Sequence, residues 1–330
     1  MKIDRIKIQN FKSIRELSLE VRRVNIFIGE PNTGKTNALE ALSLLSENVY
    51  EKDNLRKVVR FQNLGDLFFD NDISKNIIVS GGEFNLKLQI SQGSTHYGGF
   101  TCTTLNSKNE SVEFSVFGNG EIQKSFPVEF KKGVRRYIFD KIEKFEPLIL
   151  EYLNPPIGNN LPQVINNRPE IYDSISSILQ ERGFKLLLRP VENEIHLAKE
   201  VRGKLSSYPY QTISETWKRI MFLLAVLETN KDQVLLLDEP EANIFPFFNT
   251  QIAETIGVYN TNQFFITTHN PYLLQSLIEK TPKEDLCVFV SRMENFETLI
   301  TQLDSEQISE VLDMGASVFT NFDDLLKEPA

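Results

Sequence analysis

A glycine-rich segment between an apolar run and a helical pattern constrains this chain more than any other feature. Residues 29–36 match the pattern G-x-x-x-x-G-K-[ST] at every fixed position. They follow the apolar run of residues 24–28, which is typical of a buried parallel strand. They lead into residues 36–45, in which apolar side chains recur at helical spacing. A loop that joins a strand to a helix N-terminus in this way predicts a phosphate-binding site.

The residue types in this phosphate loop, residues 29–36, suit a nucleoside triphosphate. Its glycines let the backbone curl until successive N–H groups point at phosphate oxygens. Lys35 would place a positive charge at the β- and γ-phosphates, and the Thr36 hydroxyl would bind Mg²⁺. We therefore predict ATP and Mg²⁺ as ligands. The predicted nucleotide-binding residues in this part of the chain are Gly29, Glu30, Pro31, Asn32, Thr33, Gly34, Lys35, Thr36 and Asn37.

A second buried strand ends in two carboxylates. Residues 234–237 are apolar, and Asp238 and Glu239 follow them directly. Because ligands bind where parallel strands end, we predict that Asp238 holds Mg²⁺ and that Glu239 deprotonates the attacking water. His269 closes the next strand, where it would contact the γ-phosphate, and Lys35 completes the predicted catalytic set. Solvated strand-end acids and a structural histidine are the alternative interpretations.

The rest of the chain divides into regions of different pattern. Residues 77–130 hold short apolar runs separated by Gly-rich turns, which predicts an antiparallel meander. In the C-terminal third, strands alternate with helices, which predicts a parallel sheet. Further predicted elements are helices over 134–152 and 169–183, a hairpin over 184–188 and 194–198, and an edge-like strand over 2–9. The predicted fold class is α/β, a P-loop fold with a mixed sheet and an antiparallel β meander.

The acidic composition limits the kind of partner. The 330 residues include 36 Lys and Arg against 45 Asp and Glu, which gives a formal charge of −9. A protein wrapped in nucleic acid has the opposite balance, so any DNA contact would be a local patch. The best candidate for such a patch is the cluster Lys131, Lys132, Arg135 and Arg136, with a solvated charged face as the alternative.

Three patterns bear on the compartment. Cys102 and Cys287 lie far apart in sequence, which fits two unpaired thiols in a reducing compartment. No apolar run reaches the length that a membrane span requires. The N-terminus lacks the apolar core of a signal peptide. We therefore predict a cytoplasmic protein.

Together these motifs resemble the ABC-type ATPase superfamily, in the branch that contains RecF, SMC heads and the OLD nucleases. The similar segments are the opening strand at 8–14, the phosphate loop and first helix at 34–41, the Walker B strand and D-loop at 238–246, and the switch loop at 267–271. The resemblance implies a two-lobed head that binds ATP and Mg²⁺, hydrolyses ATP and forms a homodimer on ATP binding. We predict one head over 1–330, made of a phosphate-loop and meander part over 1–130, a helical and hairpin lobe over 131–205, and a signature, Walker B and switch-histidine part over 206–330.

The resemblance also assigns a signature segment, residues 213–219, that would contact the partner protomer's ATP. Ser214 matches the family's serine and would bind the γ-phosphate, with an ordinary helix N-cap as the alternative. Thr216 stands where the family has glycine, and its side chain would crowd the phosphate. Asn243 and Phe245 stand where histidines are frequent in the D-loop, so the dimer contact is expected to differ in detail.

Gln62 is the third residue predicted at the metal site, after Thr36 and Asp238. It follows the first helix and precedes the meander, from where it would reach Mg²⁺ and the attacking water. A glutamine in a surface loop is the alternative interpretation.

Two features of the branch are missing from the sequence. It has neither the long coiled coil of SMC proteins nor a paired-carboxylate nuclease cluster outside the ATPase motifs. We therefore predict a stand-alone ATPase that controls a separate effector, a nuclease or toxin, in DNA repair or phage defence, and leave DNA open as a partner. The alternatives are a nucleotide-gated scaffold with little turnover, which Thr216 favours, and a membrane-transport ATPase subunit, against which the opening strand and signature segment stand.

Overall fold

The computed structural model describes residues 3–46, 54–91, 99–106, 108–124, 132–259, 261–320 and 322. Within these residues, a six-stranded sheet has the strand order β16-β15-β3-β14-β13-β9. All neighbouring strands in it are parallel except β15 and β16, which pair antiparallel. The strands are β3 Val24–Gly29, β9 Val134–Tyr137, β13 Val234–Asp238, β14 Gln263–Thr267, β15 Leu286–Glu294 and β16 Glu297–Gln302. The α/β P-loop fold class is therefore confirmed.

The middle strands of this sheet are buried on both faces. In β3, Ile26 and Ile28 pack into one hydrophobic core and Phe27 packs into a second core on the opposite face. Phe264 and Phe265 divide in the same way between the two cores. Burial on both faces explains why these strands are continuous apolar runs in the sequence.

Helices cover the two faces of the sheet. Helix α1 packs between the six-stranded sheet and the antiparallel sheet described next, while α4, α5 and α6 contribute buried residues to the core on the other face. The helices are α1 Lys35–Ser43, α2 Leu161–Asn167, α3 Pro169–Gln180, α4 Glu215–Thr229, α5 Pro246–Glu254, α6 Pro271–Lys280 and α7 Ser305–Met314.

A second, antiparallel sheet of seven strands in the described residues has the order β2-β1-β4-β5-β6-β7-β8. It contains the predicted meander, although residues 92–98, 107 and 125–130 of that prediction lie outside the described residues. The strands are β1 Arg5–Phe11, β2 Ile14–Glu20, β4 Ile77–Gly81, β5 Phe84–Ile90, β6 Phe100–Leu105, β7 Ser111–Val116 and β8 Ile122–Gln123.

The prediction that the first strand lies at an edge is wrong. Strand β1 pairs with β2 on one side and with β4 on the other. Ile6 and Ile8 are buried, whereas Lys7 between them is exposed. Alternating burial shows that one face of the sheet is exposed to solvent. Edge and interior strands share this pattern, so it does not identify an edge strand.

A third sheet follows the short helices α2 and α3. The predicted hairpin is confirmed and gains a third strand, so that the sheet order is β10-β11-β12. Its strands are β10 Lys185–Arg189, β11 Glu194–Val201 and β12 Lys204–Pro209. One predicted helix in the segment that leads to it is absent.

The helix predicted over residues 134–152 is wrong. Val134–Tyr137 forms β9, which pairs parallel with β13, and residues 138–160 form turns and irregular chain. Pairing with a buried strand overrides the weak helical pattern of the segment, and tertiary context commonly decides such short runs.

The basic patch proposed for DNA is also contradicted for its two arginines. Arg135 is 7% exposed and Arg136 is 4% exposed, because β9 is buried. Arg135 Nη1 donates to Asn230 Oδ1 at 2.7 Å, and Arg136 Nη1 donates to Ser43 Oγ at 3.1 Å. These guanidinium groups therefore form hydrogen bonds in the protein interior and are not part of a surface patch. Lys131 lies outside the described residues.

A buried carboxylate on α1 organises charges from distant parts of the chain. The Glu40 side chain is fully buried and forms ion pairs with Lys12, after β1, and with Arg60, at 2.7 Å from its Nε. Burial lowers the pKa of the nearby Arg136, and the Glu40 charge opposes this shift. This cluster joins the antiparallel sheet, α1 and β9.

No helix in the described part of the chain is long and apolar enough to cross a bilayer. This finding concerns only those helices.

Glu40→Ala is expected to lower the free energy of unfolding by about 3–5 kcal/mol, because it leaves the partly buried Lys12 ammonium without its counter-ion. The measurement is urea unfolding. The control is Glu16→Ala, whose exposed pair with Lys7 spans 3.9 Å and should contribute almost nothing. Equal losses in the two variants would contradict the role given to Glu40.

Candidate functional site

The phosphate loop curls between β3 and α1, and neighbouring strands press against its glycines. Gly34 has φ +93°, and a Cβ there would lie 2.0 Å from Thr298 Oγ1 in β16. A Cβ on Gly29 would lie 2.2 Å from the Ser291 carbonyl oxygen in β15. Ser291 Oγ donates to the Thr33 carbonyl oxygen at 2.7 Å. Strands β15 and β16 therefore hold the loop in shape, a contribution that the loop's own sequence did not reveal.

Lys35 lies inside this loop. Its side chain is largely buried, and Nζ donates to the carbonyl oxygens of Gly29 at 2.9 Å and Glu30 at 2.6 Å. Burial lowers the pKa of the ammonium to about 8, although the nearby Glu239 and Asp238 carboxylates oppose this shift. The charge is thus concentrated within the curl of backbone that is predicted to receive phosphates.

Thr36 and Asp238 meet at the carboxyl edge of the six-stranded sheet. Thr36 Oγ1 donates to Asp238 Oδ1 at 3.2 Å, and Thr267 Oγ1 donates to the same oxygen at 2.5 Å. The second carboxylate oxygen, Oδ2, lies 3.6 Å from Arg136 Nη2. A hydroxyl beside a carboxylate is an oxygen donor set that suits Mg²⁺ bound to nucleotide phosphates. These residues therefore fit the predicted metal.

Glu239 and His269 form a second pair at the same edge. Glu239 adopts φ +45°, and its N–H donates to Thr267 Oγ1 at 3.1 Å. His269 Nε2 lies 3.6 Å from Glu239 Oε1, with both side chains partly exposed. Burial, followed by the Lys35 charge, lowers the pKa of His269, which favours the neutral ring. A carboxylate in a strained backbone beside a neutral imidazole suits handling of a water molecule.

Ser214 lies at the N-cap position of α4, but its side chain makes no capping hydrogen bond. The hydroxyl is at an exposed residue on the surface of the molecule. Nothing in the described residues tests its predicted role in trans, so the role stays a prediction.

The two departures from the family pattern contact each other. Thr216 Oγ1 donates to the Asn243 carbonyl oxygen at 2.8 Å, and Asn243 Nδ2 donates to Glu215 Oε1 at 2.9 Å. The start of α4 is therefore tied to the D-loop turn, residues 240–245, within one chain. The Thr216 hydroxyl has an intramolecular partner, which the spacing of the motif could not reveal.

Gln62 is not brought to the metal-site residues by any contact among the described residues. It is exposed, its backbone N–H donates to Asp66 Oδ2 at 2.9 Å, and its carbonyl oxygen accepts from Arg56. Its predicted role at Mg²⁺ stays a prediction without support from these contacts.

Sequence reasoning missed two cations near Asp238. Arg136 Nη2 lies 3.6 Å from the Asp238 carboxylate. Burial acts to lower the pKa of Arg60, but the hydrogen bond to Glu40 and the charges of Glu40 and Asp238 raise it overall. A signal was available, because a glutamate inside the apolar pattern of α1 requires buried cations as partners.

Comparisons with known proteins give one family match and several homologues. Residues 1–146 match the family model of an AAA ATPase domain. The chain is 25% identical over 305 residues to the Septu protein PtuA of Bacillus mycoides (strain KBAB4), covering 84% of this chain and 39% of PtuA. It is 21% identical over 336 residues to an ATP/GTP phosphatase of Helicobacter pylori (strain ATCC 700392 / 26695), covering 86% of this chain and 89% of that protein.

Two further similarities are partial in different ways. A segment of 145 residues is 31% identical to the phosphate import ATP-binding protein PstB of Aeropyrum pernix (strain ATCC 700893 / DSM 11879 / JCM 9820 / NBRC 100138 / K1), covering 42% of this chain and 51% of PstB. The chain thus spans well under two thirds of the length of PtuA and of PstB. The crystal structure of an SMC head bound to the C-winged helix domain of ScpA superposes with a TM-score of 0.54 at 12% identity, covering 94% of this chain and 100% of that chain, and shows a shared fold.

The resemblance drawn from the motifs is therefore confirmed: the matched ATPase domain, the SMC-head fold and the homologues together fit an ABC-type ATPase of the RecF, SMC and OLD branch.

Proposed function

We propose that this protein is an ATP-binding and hydrolysing switch that dimerises on ATP-Mg²⁺ and controls a partner effector in DNA repair or phage defence. The observation that carries the ATPase part is the hydrogen bond between Thr36 and Asp238, beside Glu239 and His269. It joins the phosphate loop to the carboxylates that ATP hydrolysis requires.

Each site residue has a distinct task in this proposal. The loop N–H groups and Lys35 bind the phosphates, while Thr36 and Asp238 would hold Mg²⁺, which would neutralise phosphate charge. Glu239 accepts a proton from the attacking water. The neutral imidazole of His269 forms a hydrogen bond with the γ-phosphate and orients it. These tasks need no large movement of the strands, because the groups already share one edge of the sheet.

Dimerisation would complete the site from the partner protomer. Ser214 is exposed at the positive N-terminus of α4, where an anion is favoured, and its hydroxyl makes no capping bond. We place the partner's γ-phosphate there. We also propose a cytoplasmic location, which the two separated cysteines favour, and a nuclease or toxin as the effector, with DNA left as a further partner to be tested.

The alternative is a nucleotide-gated scaffold with little turnover. Thr216 favours it, because its side chain occupies the position of a family glycine at the start of the signature helix. A transport ATPase subunit is disfavoured by the opening strand and the signature segment. The similarity to the transport protein PstB covers 42% of the chain.

Glu239→Gln is expected to retain ATP and to show a dimer in light scattering with ATP-Mg²⁺, because the amide cannot accept the proton of the attacking water. Without ATP the same variant should be monomeric. Glu279→Gln, an exposed change on α6, should behave as the wild type. Absence of any ATP-dependent gain in mass would count against dimerisation.

Lys35→Ala is expected to abolish single-turnover hydrolysis of ATP, because the loop loses the charge that binds the β- and γ-phosphates. The wild type should release phosphate under the same conditions. Wild-type turnover that Lys35→Ala removes would reject the scaffold alternative. A wild type that binds ATP but does not cleave it would support the scaffold.

Thr216→Gly is expected to raise kcat if side-chain bulk crowds the phosphate, whereas Thr216→Val should not. Both variants lose the hydroxyl that donates to Asn243, so their comparison isolates bulk from hydrogen bonding. The measurement is steady-state phosphate release. Equal rates for the two variants would remove the crowding argument.

A further inference from the structure

Glu241 is a buried carboxyl group that the proposed hydrolysis does not use. It lies in the D-loop turn, three positions after Asp238, and is 5% exposed. Among the buried side-chain atoms of the described residues, its Oε2 has no hydrogen-bond partner. Burying a carboxyl group with one free oxygen costs free energy, so the residue needs an explanation.

The other oxygen of Glu241 is bound to the switch loop, residues 267–271. Thr268 Oγ1 donates to Glu241 Oε1 at 2.5 Å, and the His269 backbone N–H reaches the same oxygen at 3.3 Å. Thr268 Oγ1 in turn accepts from the Asn270 N–H at 3.0 Å. The Glu241 carboxyl group therefore holds the His269 N–H directly and the Asn270 N–H through the Thr268 hydroxyl.

The backbone of Glu241 is itself fixed. The Ile244 N–H donates to the Glu241 carbonyl oxygen at 2.9 Å. Asn243 is held by Glu215 and Thr216 at the start of α4. The turn that carries the Glu241 carboxyl group is therefore anchored to a long helix.

Burial raises the pKa of Glu241 to about 7, with the nearby Glu239 charge adding to this effect and the bond from Thr268 opposing it. The neutral acid is thus accessible at physiological pH. Glutamine has the same shape as the neutral acid and keeps a carbonyl oxygen as the acceptor. It therefore makes a conservative replacement that keeps the support.

We propose that Glu241 is a positioning residue that holds His269 in place through the switch-loop backbone. This inference rests on the proposed role of His269 at the γ-phosphate. Glu241 is buried and bound to the switch loop, so its effect on the reaction would pass through His269.

The test compares Glu241→Gln and Glu241→Ala, with Glu279→Ala on the exposed face of α6 as the matched control. Steady-state hydrolysis gives kcat and KM. Histidine-selective NMR gives the position of the His269 ring signal directly. The chain has three histidines, and His196, in the sheet of β10 to β12, serves as an internal reference.

Glu241→Ala should lower kcat on the order of 10-fold to 100-fold, the scale of a small misplacement of a reacting group, with KM within about twofold. Its His269 signal should move while the His196 signal stays. Glu241→Gln should keep kcat within about threefold of the wild type and should keep the His269 signal, as should Glu279→Ala. If Glu241→Ala does not fold, Thr268→Val removes the hydroxyl donor at nearly constant shape and should move the His269 signal.

An unmoved His269 signal in Glu241→Ala or Thr268→Val would overturn the proposal. A loss of kcat in Glu241→Gln equal to that in Glu241→Ala would also overturn it, because the side-chain oxygen that accepts from Thr268 would then have no effect on the reaction. If the wild type hydrolyses no ATP, the proposed function fails, but the NMR comparison still decides whether Glu241 holds His269.

Discussion

The hydrogen bond between Thr36 and Asp238 joins two residues that are 202 positions apart in sequence. It exists because β3 and β13 lie on either side of β14 with their carboxyl ends at one edge. Asp238 pairs in register with Thr267, which pairs with Phe27 two residues before the phosphate loop. The parallel register therefore sets the distance between the predicted magnesium ligands, and every other site residue is placed relative to them.

Buried ion pairs lie close to this edge of the sheet. Glu40, on the phosphate-loop helix α1, has Lys12 and Arg60 as partners, while Arg136 Nη2 lies 3.6 Å from the Asp238 carboxylate. A buried charge is tolerated only when it is paired, so these groups require the two sheets to close around α1 in one arrangement. Contacts from β15 and β16 then hold the glycines of the loop. The site residues are thus held in place by contacts within the protein, and such preorganised groups are what electrostatic stabilisation of a transferring phosphoryl group requires.

Sequence reasoning succeeded where a pattern is local. The strand, loop and helix around Lys35 and the apolar strand before Asp238 are each written in consecutive residues. It failed where a neighbouring strand determines the structure of a segment. Val134–Tyr137 is a strand because it pairs with β13, and burial of this strand removes Arg135 and Arg136 from solvent. The prediction of Gln62 at the metal site rests on its position after the first helix. Arg60, two residues earlier, is the side chain that the fold pairs with Glu40.

The sequence by itself determined the α/β class, the phosphate loop with Lys35 and Thr36, and the strand-end acids, because each depends on short-range periodicity and residue chemistry. Only the tertiary structure decided which distant groups meet. The pairing of Thr216 with Asn243 and of Glu241 with the switch loop depends on how separate elements pack, and no spacing along the chain encodes those distances. Hydrogen bonds and ion pairs act over a few ångströms, so their partners are known only once the sheets and helices have closed.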